Sequence, residues 1–156
     1  MSDLWNAVSG LVNITWYDWT GKVLSSSKSN VDIGPTNATI AFELNVQDLG
    51  LDLSSSIAKC SVEVQHGANN SHSKKLSTYK HERWFHAQSL SQQALPDPRL
   101  TVKNDPGSNA FVVKADGGVA AWTWSDHPDG VVGNFEEIRF WLLPKQEKKV
   151  ALAASG

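Results

Sequence analysis

The stretch SIAKCSVEVQ, Ser56 to Gln65, puts Ala58, Cys60, Val62 and Val64 on one side of an extended chain and Lys59, Ser61 and Glu63 on the other. Side chains of a strand alternate between two faces, so this is the signature of a strand with one buried and one wet face. The same period of two runs outward in both directions. Upstream, Val12, Ile14 and Trp16 alternate with Asn13, Thr15 and Tyr17, and Ile40, Phe42, Leu44 and Val46 with Ala41, Glu43, Asn45 and Gln47. Downstream, Leu100 and Val102, then Phe111 and Val113, continue the pattern, and Ile138, Phe140 and Leu142 oppose Glu137, Arg139 and Trp141. Turn clusters punctuate these runs at Thr20–Lys22, Ile33–Pro35, Gly67–Asn70, Asn104–Gly107, Asp116–Gly118 and His127–Gly130. No stretch carries a 3.6-residue period of useful length. Many short strands with regular turns predict an all-β, immunoglobulin-like β-sandwich, in two small packed sandwiches.

The best internal boundary is QALPDP, Gln93 to Pro98, where two prolines interrupt strand-like sequence. It predicts a first sandwich over residues 1–95 and a second over 96–156. The second is short for an independent sandwich, which predicts that the halves pack together.

The chain has 156 residues, 40% hydrophobic and 19% charged, which describes a globular protein with a core. A net charge of −2 offers no pull toward nucleic acid or anionic membrane, and no apolar run approaches the length of a membrane span. MSDLWNAVSG has neither the basic nor the apolar region of a signal peptide. Asn-x-Ser/Thr triplets at Asn13, Asn37 and Asn69 carry little about secretion in a chain this rich in Ser and Asn. A single cysteine, Cys60, excludes an internal disulfide, and its apolar neighbours predict a buried, inert thiol.

Sites with chemistry are scarce. HERWFH, His81 to His86, looks like a zinc helix, but its histidines are five apart rather than four and fall on opposite faces of a strand. No metal and no cofactor is expected. Glu136 and Glu137 are adjacent, and strand neighbours point to opposite faces, so they do not make a glycosidase pair. Neither a nucleophile elbow nor a phosphate-binding glycine loop is present.

One stretch stays open on its residues alone. In AAWTWSDHPDG, Ala120 to Gly130, Trp122 and Trp124 share a strand face with Ala120. Two indoles side by side stack on a sugar, with Asp126 or Asp129 accepting hydroxyl hydrogen bonds. They equally fill the gap between the sheets of a sandwich. The candidate carbohydrate-binding residues are therefore Trp124, Asp126, His127 and Asp129. The alternative, core tryptophans followed by an exposed loop at Asp126–Gly130, is the expectation.

The segment GVAAWTWSDHPDGVVGNFEEIRFWLLPKQEKKVAL, residues 118–152, resembles the C-terminal end of fungal glycoside hydrolase family 2 β-mannosidases. SDLWNAVSGLVNITWYDWTGKVL, residues 2–24, is similar to the strand pair after their catalytic barrel, and FHAQSLSQQALPDPRL, residues 85–100, to the link between their last two sandwiches. The likeness runs in order along essentially the whole chain. It departs from the family pattern at Phe135–Ile138 and at the Pro144–Glu147 turn. The resemblance implies an immunoglobulin-like fold, a non-catalytic role, since the family's catalytic glutamates sit on the barrel, and core packing of the aromatic strand. It leaves two expectations. One is a C-terminal module of a β-mannosidase-like enzyme, partnered by the catalytic domain and touching glycans or mannosides, with an extracellular or vacuolar parent. The other is a stand-alone fungal-type lectin or a defence or immunomodulatory protein built on the same module.

Overall fold

A computed structural model of the chain describes residues 7–41, 43–67, 76–126 and 134–153. It is all-β. Among the described residues there is no α-helix, only two single-turn 3-10 helices at Val46–Leu49 and Leu90–Gln92. The chain divides into two compact units, one of Met1–Asp18 and Val23–Gln93, the other of Trp19–Lys22 and Ala94–Gly156.

The first unit is built on one antiparallel sheet. Its strands are β1 (Val8–Asp18), β2 (Val23–Ile33), β3 (Ser56–Gly67) and β4 (Leu76–His86), in the order β2-β1-β3-β4. Directly opposed residues share a face, so the pairings Val12↔Val62 and Trp16↔Ala58 gather one apolar side. Val8, Val12, Trp16, Val31 and Ala58 are buried there. The other side is mixed, with Ile57 fully buried and Tyr17 against Trp84 at one end, and polar side chains along the rest. Asn13 Nδ2 donates to Thr15 Oγ1, Ser26 Oγ donates to Asn13 Oδ1, and Lys59 and Lys80 pair with Glu82 and Glu63. Cys60 is half-buried, and burial pushes its thiol pKa up. His81 lies opposite Val62 and His86 opposite Ile57, which puts the two histidines on opposite faces of β4.

One expectation fails in this unit. None of the described residues in the alternating run from Ile40 to Gln47 is in a strand, and Ile40 is 74% exposed. Alternation only disposes a chain to extend; a strand also needs a ladder partner. Here Asn45 Oδ1 accepts from Gln47 N–H and Gly50 closes the turn at φ 60°, so capping chemistry takes the end of the run into a 3-10 turn. Conversely β2 forms although its sequence, VLSSSKSNVDI, has no apolar alternation. As an edge strand it is held by ten residue pairings to β1.

The second unit is a sandwich of unequal sheets. One has the order β5 (Leu100–Asp105), β6 (Ala110–Ala115), β10 (Glu147–Ala153), β8 (Asn134–Phe135); the other pairs β7 (Ala120–Trp124) with β9 (Arg139–Leu142). Val113, Ala115 and Val150 from the larger sheet meet Ala120, Phe140 and Leu142 from the smaller, with Phe135 packed alongside. Trp19 is buried in this unit, its carbonyl accepting from Val119 N–H at 3.0 Å. Ile138 is exposed, in the bend before β9, so the inward set there starts at Phe140. Glu136 and Glu137 also stand in that bend rather than on a strand, and Glu137 pairs with Lys148 at 2.6 Å.

Candidate functional site

The core reading of the paired tryptophans is overturned. Trp122 is 49% exposed and Trp124 60%. The cause is a bulge: Ala120 pairs with Leu142 but Thr123 with Phe140, so three steps on β7 span two on β9. The extra residue shifts the phase of alternation by one. Thr123, not Trp122, follows Ala120 onto the inner face, and Trp122 takes the positive φ of 48° that the bulge demands. The indoles are thereby turned outward.

Outside, they join two residues of β9. Trp122 and Trp141 meet edge to face with ring centroids 5.7 Å apart, and Trp141 in turn stacks on Trp19 at 6.4 Å. Arg139, paired with Trp124 in the ladder, holds its guanidinium carbon 5.7 Å from the Trp124 ring centroid, a cation–π contact. The outcome is an aromatic strip of Trp122, Trp124 and Trp141 with a fixed cation, backed by a buried tryptophan. Only Trp124 of these had been singled out as a site residue. The signal for the others was present, since Arg139 and Trp141 stand in the outward phase of their run; what was missing was the bulge and the β7–β9 register.

Beside the strip runs a groove of about 420 Å³, walled by Leu100, Val102, Phe111, Trp124, Asp126 and Leu152 among others. Among the described residues the two-stranded sheet does not cover the whole four-stranded one, and Leu100 and Val102 of β5 are exposed at 41% and 63%. Trp124 and exposed Asp126 are thus brought together at its margin. Thr123 Oγ1, also on the wall, is buried and has no hydrogen-bond partner among the described residues. A buried hydroxyl left so is a cost that a ligand group or a water offsets. His127 and Asp129, the other two candidates, lie outside the described residues. No group of three or more metal-ligating side chains occurs among the described residues.

Residues 1–82, more than half of the chain, match the Mannosidase Ig/CBM-like domain family, and residues 95–155 match an Ig-fold domain family. The chain belongs to the mannosidase Ig/CBM-like domain family. It is 38% identical to the β-mannosidase A of Neosartorya fischeri over 98% of its own length, and 36% identical to those of Aspergillus fumigatus and Aspergillus clavatus over 98% and 96%. It spans only 16–17% of the length of these relatives. The similarity falls on their immunoglobulin-like region. No described helix is long and apolar enough to cross a membrane.

Proposed function

We propose that this chain is a non-catalytic immunoglobulin-like module of a β-mannosidase-like glycoside hydrolase, with two domains that meet near residue 95, and that its strip at Trp122, Trp124 and Trp141 contacts carbohydrate. The observation that carries the reading is the outward pair of tryptophans beside Arg139 and Asp126. The apolar face of a pyranose packs on an indole, while a guanidinium and a carboxylate hydrogen-bond its hydroxyls. Titration of the chain with manno-oligosaccharides, followed by calorimetry and tryptophan fluorescence, tests it. Binding that is lost in Trp124→Ala and weakened in Asp126→Ala is the expected result; no heat with any mannoside, or unchanged binding in Trp124→Ala, refutes it.

We expect no hydrolysis from this chain, because Glu137 is tied to Lys148 and Asp126 is the one carboxylate among the described residues that line the groove, whereas a glycosidase needs two. A purified sample is expected to release no leaving group from an aryl β-mannoside. The groove favours a second reading, in which the exposed side chains of Leu100 and Val102 seat the catalytic part of a larger β-mannosidase. A stand-alone lectin or immunomodulatory protein would use the same strip, and the mass of the natural protein separates that case from a module.

A further inference from the structure

The outer edge of β4 in the first unit is open. Among the described residues no strand pairs with it beyond β3, and Thr78 through Arg83 and Phe85 are all exposed, Tyr79 to 61%. Its eleven residues contain no proline, and the register with β3 runs unbroken from Ile57↔His86 to Gly67↔Leu76. Edges of this length are usually blunted by proline, bulges or charge, because their free N–H and C=O groups template further pairing. Here the charges do the opposite: they are self-complementary about His81.

We propose that two copies of this chain join antiparallel along β4, in the register that sets His81 opposite the partner's His81. Lys80 then faces the partner's Glu82 and Glu82 the partner's Lys80, while Tyr79 faces the partner's Arg83 on the other side of the sheet. Both ion pairs extend existing ones, since Lys80 already holds Glu63 at 2.9 Å and Glu82 already holds Lys59 at 2.7 Å. Within a copy, Tyr79 stacks on His81 and Arg83 Nε donates to His81 Nε2, so the row Tyr79, His81, Arg83 is ordered before any partner arrives. Neighbouring registers are worse. Centring on Lys80, Glu82 or Arg83 opposes like charges at the axis, which is destabilising. Shifting by a half step turns the apolar face of one copy toward the polar face of the other. Every register centred on a residue keeps Tyr79, His81, Arg83 and Phe85 of both copies on one continuous face, and the His81 register is the one that also sets Lys80 against Glu82 on both sides of the axis. This inference is independent of carbohydrate binding.

Sedimentation equilibrium of the full chain over a wide concentration series reads the result. A mass rising toward twice the 17.0 kDa of the chain is expected. Glu82→Lys places a lysine against the partner's Lys80 and is expected to hold the mass at that of one copy while the far-UV spectrum is retained. Cysteine trapping fixes the register and covers the case in which that variant misfolds. In a Cys60→Ser background, His81→Cys is expected to give a disulfide-linked dimer on mild oxidation. Thr78→Cys is not, because its counterpart stands roughly 20 Å along the ladder. A single-copy mass at every concentration, a dimer that persists in folded Glu82→Lys, or equal trapping at positions 78 and 81 would overturn the proposal.

Discussion

Replacing Trp124 with Ala distinguishes an outward indole from a packed one. With 60% of it exposed, the buried remainder of a side chain of ~250 Å² is ~100 Å². At ~25 cal/mol per Å² this is ~2.5 kcal/mol, an upper bound because the unfolded chain also buries surface. Alanine keeps part of that contact, so a loss of ~1–2 kcal/mol is expected once the contact with Arg139 is included. Phe140, 5% exposed in the same unit and opposite the inward Thr123, is the internal standard. Emptying such a site costs ~3–5 kcal/mol. Guanidinium melts followed by far-UV circular dichroism, with the transition of the second unit fitted in each variant, give both values. If Trp124→Ala destabilises as much as Phe140→Ala, the indole is packed in the core and the phase shift at the bulge is wrong.

The remaining expectations concern single groups. Thr123→Val keeps the shape of the side chain and removes the unpaired hydroxyl on the groove wall, so stability should rise by ~1 kcal/mol in the same melts; a loss would mean the hydroxyl has a partner. Trp122 sits at φ 48°, where a non-glycine residue costs ~1–2 kcal/mol, so Trp122→Gly should be at least as stable as Trp122→Ala, the reverse of the order inside an ordinary strand. Asp105 is held below its ordinary pKa of 3.8, first by the hydrogen bond from Lys149 and then by Ser108. A depressed folded-state pKa gives stability that is present above the unfolded value and lost as pH falls through the folded one. Asp105→Asn should therefore be less stable than the parent at neutral pH, and the gap should close as acid melts pass below pH 3.8; a constant gap would refute the assignment.

What could be read locally was read from face-to-face alternation. Ala58 to Val64, Val12 to Trp16, and Phe140 with Leu142 each carry their own inward set. A strand that buries one side writes that period into its own residues. The turn clusters worked for the same reason, since Gly, Pro and Asn act on their own dihedrals. The elements that escaped depend on something far away in the chain. β2 is a strand because β1 lies beside it, and the described residues of Ile40 to Gln47 form none because no ladder pairs with them. The decisive case is Ala120 to Trp124. Its residues alternate as a core strand should, yet one bulge, set by pairing with Arg139 to Leu142, moves Thr123 inward and both tryptophans out. Alternation is a property of single residues in order, but its phase belongs to the ladder between two strands. The apolar composition of the strip was thus settled in the sequence, and the side of the sheet on which it faces only by tertiary pairing.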